Sequence, residues 1–453
     1  MLKKAALLLA ALGLAGSLTG CGFRSPEELY ALPKSTAEYQ SLQTCLEAFL
    51  AQGYEYSAPL SGNNTQSVQM QDLDGDGTDE ALAFFRDSSS GAKHPMKICI
   101  FRENEDGDYK LSDMIEGDGE GINSVVYCQL NDTAMEEIVV GWRVSSAIYA
   151  LSAYSIEQGN VTEIISAPSY TRYFTQDLDQ DNQAELVLIQ VADQEDGGSS
   201  ATYYDWSNDT MMSINTTRLS SSMSSVDSAR YGYLQSGYPA LYISGYRQDS
   251  PTQLITDILA VRDGALTNIT IGDGVDSTET IRTNSVELKD INNDSALEIP
   301  ISVTLPSSAD VENSESFSLL RWDQYDLNGT QKFVEYTYHD IADGWYFEIP
   351  EEWYGHLILS RSDVNLGATV ERSIVFYYQA SQTDQPHEFM AIYKNTGSNR
   401  ITRAEIGQRQ LLQTDSDAAY SIELLDSAWD CGLDNTTAAS RFHLILTDWS
   451  TAD

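Results

Sequence analysis

Three stretches of this 453-residue chain place oxygen-bearing side chains where they can share one cation. QDLDGDGTDEAL spans 71–82, DLDQDNQAELVL spans 177–188 and DINNDSALEIPI spans 290–301. Aligned, each has oxygen donors at loop positions one, three and five and a glutamate at position nine. The first loop offers Asp72, Asp74, Asp76 and Glu80, and the second Asp177, Asp179, Asp181 and Glu185. The third offers Asp290, Asn292, Asp294 and Glu298. Acids packed this closely repel one another unless something positive sits among them. Calcium fits the pattern: it is hard, takes six to eight oxygens, and accepts alternate side chains of a tight loop plus a main-chain carbonyl at position seven. Gly75 and Gly77 let the first loop turn sharply. Asn182 and Ser295 replace the second glycine in the other two; Asn tolerates left-handed backbone well and Ser poorly. The expected cofactor is calcium, two or three ions, in a structural role.

The residues immediately after each loop decide how it is held. In an EF-hand a helix comes next and the bidentate glutamate sits at position twelve. Here the runs are Ala81–Phe85 and Leu186–Ile189, short and apolar, which read as buried strands. The apolar residue at position two (Leu73, Leu178, Ile291) should point into the core and pin the loop. A fourth copy, QLNDTAMEEIVV at 129–140, keeps Leu130, Asn131 and Glu137 but lacks the leading aspartates, and Ile138–Val140 is its strand. A fifth, near Gly237–Tyr242, keeps only the turn and the strand. From Glu80 to Glu137 is 57 residues, to Glu185 48 more, to Ala240 55 and to Glu298 58. Periods of this size mark propellers or arrays, in which one repeat cannot bury its own apolar face. Further strands are expected at 96–102, 109–115, 147–156 and 161–166. Four strands per repeat match a propeller blade.

At this point DLDGDGTDE and its copies resemble the calcium loops of FG-GAP/VCBS-type repeats, the blades of integrin-α-like β-propellers. The resemblance covers roughly residues 60–340. It implies calcium bound in inter-strand loops on one face of a ring. The expected fold is mainly β: a β-propeller of about five to seven blades at 61–340, with a small C-terminal α+β domain at 341–453. That last stretch, where the repeat fades, reads alternatively as a further divergent blade.

The N-terminus has Lys3 and Lys4, then an apolar stretch over 5–18 too short to span a bilayer. It reads as a secretion signal over 1–20. Leu18-Thr19-Gly20-Cys21 resembles the bacterial lipoprotein signal-peptidase motif, which implies cleavage before Cys21 and lipid attachment to its thiol. Residues 21–60 then carry the lipidated terminus and an amphipathic helix from Thr36 to Gln52, with Tyr39, Leu42, Leu46, Phe49 and Leu50 on one side, Ser35 as cap and Gly53 as its end. Cys45, Cys99, Cys128 and Cys431 form no CxxC, and either a bridge or free thiols fits their spacing. Five scattered histidines give no zinc spacing.

The formal charge is −42 with 42% apolar residues, so the chain folds, and its acidity excludes nucleic-acid partners. The expectation is a lipid-anchored protein of the cell membrane, facing outside the cytoplasm, that is not an enzyme. Its propeller would bind an extracellular protein or glycan. The alternatives are a structural accessory of an envelope complex and, behind it, a carbohydrate-active enzyme working through paired carboxylates. No Walker loop, GxSxG or Cys/His signature is present.

Overall fold

A run such as Ala81–Phe85 is too apolar to leave either face in water, so it must pair along its edges and be covered on both sides. The computed structural model describes residues 37–445, less 90, 105, 134, 158–159, 193–197, 208–209, 284–285 and 315–316. Over these residues the chain is mainly β, in six antiparallel sheets. The first holds β1 (Tyr54–Tyr56), β2 (Val68–Gln71), β3 (Glu80–Asp87), β4 (Met96–Glu103) and β5 (Tyr109–Gly117), in order β1-β3-β4-β5 with β2 also on β3. The second runs β6 (Gly121–Cys128), β7 (Glu137–Arg143), β8 (Tyr149–Glu157), β9 (Asn160–Tyr170). The third runs β10 (Arg172–Gln176), β11 (Glu185–Gln190), β12 (Ser200–Trp206), β13 (Met211–Arg218), and the fourth β14 (Met223–Tyr233), β15 (Pro239–Arg247), β16 (Leu254–Arg262), β17 (Ala265–Asn268).

The fifth sheet runs β18 (Ile299–Thr304), β19 (Ser318–Tyr325), β20 (Gln331–Asp340), β21 (Trp345–Ile349), and is closed by β27 (Phe442–Leu444). The sixth joins β22 (Leu357–Asn365), β23 (Thr369–Tyr378), β24 (His387–Gly397), β25 (Gln410–Thr414) and β26 (Ala418–Leu424) in order β22-β23-β24-β26-β25. Every expected strand is present, each within a few residues of its predicted span.

Contacts divide the chain into two units. The first takes residues up to Tyr127 with Met135–Ala147 and Ser152–Glu163, and the second takes the rest. Within the first, Leu82, Phe84 and Ile98 pack with Ile138, Val140 and Ile156. Within the second, Leu241 and Ile243 of β15 pack with Val187 and Tyr203 of the third sheet. Their neighbours Ala240 and Tyr242 pack instead with Ile299 and Tyr325 of the fifth. Successive side chains of a strand point to opposite faces, so one short strand serves two cores. That is why these runs are apolar throughout rather than alternating.

Helix α1 (Ala37–Ala51) covers the remaining face of the first sheet. Leu42 and Leu46 are buried and Phe49 stacks on Phe85, centroids 5.3 Å apart. Ser41 Oγ accepts the Tyr109 N–H at 2.8 Å. The expected cap Ser35, the signal segment and Cys21 lie outside the described residues, as does the Tyr39 side chain. Cys45, Cys99 and Cys431 are free thiols. Among the described residues no helix is long and apolar enough to cross a membrane.

The boundary expected at 340/341 falls inside a sheet. Gly344, at φ +75°, lets its N–H reach the Asp340 carbonyl at 2.8 Å, and the tight turn pairs β20 with β21 from Asp340↔Trp345 onward. Residues 341–445 thus supply β21 and β27 to the fifth sheet and all of the sixth. They add only two short helices, α2 (Arg400–Ala404) and α3 (Asn435–Ser440). The stretch is β-rich rather than an even mixture of helix and strand.

Candidate metal sites

The three acidic loops share one backbone conformation. Positions four and six are left-handed in each: Gly75 and Gly77, Gln180 and Asn182, Asn293 and Ser295, with φ from 59° to 88°. Four of these six are not glycine and carry a steric cost. Hydrogen bonds hold the shape. The position-one aspartate accepts the N–H of position six: Gly77 to Asp72 at 2.9 Å, Asn182 to Asp177 at 3.1 Å, Ser295 to Asp290 at 2.8 Å. The position-five aspartate accepts the N–H of position seven: Thr78 to Asp76 at 2.7 Å, Gln183 to Asp181 at 2.7 Å, Ala296 to Asp294 at 3.0 Å. The glutamate reaches back to the N–H of position two: Leu73 to Glu80 at 2.9 Å, Leu178 to Glu185 at 2.6 Å, Ile291 to Glu298 at 2.8 Å. Leu73 and Leu178 are buried, as their pinning role requires, and Ile291 packs half-buried beside Trp322. Burying a side chain of this size stabilises by about 1.5–3 kcal/mol.

Ser295 has the least suitable side chain for its backbone. Ser295→Gly is expected to stabilise the chain by about 0.5–1 kcal/mol, read as a higher melting temperature. An unchanged or lower melt would refute strain at that position.

The donors converge. One carboxylate oxygen from each of Asp177, Asp179, Asp181 and Glu185 lies within 4.8 Å of the others, and the same holds for Asp72, Asp74 and Glu80 and for Asp290, Asp294 and Glu298. Asp76 stands outside its convergent trio, and Asn292 turns its amide to Asp294 at 2.9 Å. All three glutamates are buried. Burial pushes the Glu185 carboxyl up to about 9, with Asp179, Asp205 and Asp177 adding repulsion against the Leu178 N–H. Burial also lifts Glu298 to about 7, opposed by the Ile291 N–H and Gln324. Glu80 is raised by burial, opposed by the Leu73 N–H and Arg102. Such a nest favours a bound cation, which reverses the repulsion.

Sequence reasoning missed the residue facing each glutamate across the sheet. One step along the register of Ala81↔Phe101, Leu186↔Tyr204 and Ile299↔Asp323, the glutamates stand opposite Arg102, Asp205 and Gln324. Arg102 Nη1 donates to Asp74 at 3.0 Å. Gln324 Nε2 donates to Asp294 at 2.6 Å and to Glu298 at 2.5 Å. Asp205 is itself raised by burial and by Asp181. The signal was available in the strand expected at 96–102, which ends on Arg102.

The degenerate copies have replaced acids with neutral groups. In the fourth, Gln129 Nε2 donates to the carbonyls of Thr133 at 2.5 Å and Asn131 at 3.4 Å, and Asn131 Oδ1 accepts the Thr133 N–H at 2.8 Å. Glu137 is buried and accepts from Ser155 Oγ at 3.2 Å. In the fifth, Gly237 keeps the left-handed turn while Ala240 stands in the glutamate's place.

No family model and no curated protein matches the chain. Among solved structures, Sqt1 from Saccharomyces cerevisiae aligns at 12% identity and a TM-score of 0.30, covering 66% of this chain and 81% of that one. A putative 6-phosphogluconolactonase from Bacteroides fragilis aligns at 10% identity and a TM-score of 0.25, covering 74% and 92%. An exo-β-1,3-galactanase from Phanerochaete chrysosporium, solved with β-1,3-galactotriose, aligns at 9% and 0.24, covering 79% and 82%. At scores this low the likeness assigns neither fold nor activity.

Proposed function

We propose that the chain is a membrane-anchored lipoprotein facing outside the cytoplasm, whose sheets are the blades of an FG-GAP/VCBS-type β-propeller stapled by calcium. Its role in this reading is to bind a protein or glycan, not to catalyse. The observation that supports it most is the repetition of one loop conformation at three places, each with buried, convergent carboxylates that cost stability when no cation is bound. Each loop ends on a strand that serves the core, so an ion there ties neighbouring strands together. Calcium is the expected ion because the donors are all hard oxygens, with affinity on the order of 10⁻⁵ to 10⁻³ M.

Calcium at a hundred times its dissociation constant stabilises by about 2.7 kcal/mol per site. The double change Asp179→Ala, Asp181→Ala is expected to remove that increment from the second loop. Thermal melts of both chains, with calcium and with chelator, measure it. A calcium-induced rise of equal size in the two would rule out the second loop as a site. Partner capture from detergent-solubilised membranes and glycan arrays, run with and without calcium, test the binding role. Turnover on a polysaccharide panel would replace it with a catalytic one.

A further inference from the structure

The three loops match in backbone and differ in what faces them. Formal charge separates them first. Five carboxylates, Asp79 included, and one guanidinium leave the first loop at −4, three carboxylates leave the third at −3, and Asp205 takes the second to −5. Satisfaction separates them further. In the first loop Arg102 already donates into the acids through Asp74, although the half-buried Asp72 keeps Oδ1 without a hydrogen-bond partner among the described residues. Its guanidinium does there what a bound cation would do. In the third, the Gln324 amide bridges Asp294 and Glu298, using two of the three convergent carboxylates. In the second, Glu185 is fully buried and its Oε1 has no hydrogen-bond partner among the described residues. Yet Glu185 belongs to the only group among the described residues in which all four loop acids converge. A buried, unpartnered carboxylate oxygen is costly, and a cation between it and its three neighbours removes that cost.

We propose that the residue opposite the glutamate grades the loops: the second, with Asp205 as its fifth acid, is the tight calcium site, while Arg102 closes the first and Gln324 closes the third. The grading rests on the calcium reading above. It turns one strand position into the determinant of which blades carry metal. An arginine there makes a loop independent of calcium, an amide makes it weakly dependent, and an aspartate makes it dependent.

Calorimetric titration of calcium into the full chain, in detergent and stripped with chelator, tests it with four proteins. The natural chain is expected to show one tight site. Asp205→Asn should weaken that site by about tenfold or more, and Asp205→Arg, which transplants the first loop's device, should abolish it. Arg102→Gln, which gives the first loop the third loop's amide, should add a weak site without altering the tight one. Three equal sites in the natural chain, or a tight site indifferent to both Asp205 changes, would overturn the grading and leave calcium binding intact. No calcium uptake by any of the four would overturn the calcium reading itself, and the grading with it. Should Arg102→Gln fail to fold, the two Asp205 variants still decide the matter.

Discussion

Trp353→Ala is expected to lower stability by about 4 kcal/mol. The indole is fully buried on the one-turn segment between β21 and β22. It meets Phe389 edge-on with centroids 4.8 Å apart, and Trp429 and Phe376 at 6.0 and 6.4 Å. Its Nε1–H donates to the Cys431 carbonyl at 3.1 Å. Alanine would therefore empty a ring-lined cavity and strand a carbonyl at once. Phe376 and Phe389 are rings fixed on β23 and β24, so the space cannot collapse cheaply, which places the cost high in the usual range. Trp353→Phe, which keeps most of the ring and loses the hydrogen bond, should cost about half as much. Urea denaturation followed by circular dichroism reads both. An alanine variant that unfolds at the natural midpoint would show that the fifth and sixth sheets do not share this core.

The sequence made the acidic loops legible because their chemistry is local. Ligand type, spacing and the adjoining apolar run all lie within twelve residues of one another. Strand identity was legible for the same reason. Three things were not. The first was the residue opposite each glutamate, since Arg102, Asp205 and Gln324 lie 20 to 26 residues away and meet the loop only through sheet register. The second was the division at 340. The repeat signal was carried by the acidic loop, and the sixth sheet has none, so its strands looked like a different kind of domain. The third was the return of β27, three residues long, to close the fifth sheet beside β21. A pairing that short leaves no periodicity to read.

Asp343→Ala should cost about 3 kcal/mol, the next largest loss. Asp343 is buried in the turn between β20 and β21. Its carboxylate takes Arg372 Nη1 at 2.7 Å, Arg361 Nη2 at 3.0 Å and Lys394 Nζ at 3.5 Å. Its carbonyl accepts from Lys394 Nζ at 2.9 Å and the Tyr420 hydroxyl at 3.0 Å. These four side chains come from β22, β23, β24 and β26, so one turn of the fifth sheet holds four strands of the sixth. Removing the carboxylate leaves three cations facing each other, with Asp340 at 3.6 Å and the half-exposed Asp363 at 3.2 Å from Arg361 as the acids left beside them. The Arg372 side chain is 43% exposed and water will recover part of the loss, which keeps the figure at the low end for a broken buried pair. Asp343→Asn, neutral but the same shape, should cost less than alanine. Urea midpoints compare the three chains, and an asparagine variant as damaged as the alanine one would show that charge, rather than shape and hydrogen bonding, holds the turn. The cluster also bears on the loops. A chain with 26 basic and 68 acidic residues cannot neutralise every acidic nest with its own side chains. It places three cations on Asp343 and one on the first loop, and the second loop has no basic side chain bonded to it among the described residues. Its four convergent acids could hold an ion from solution.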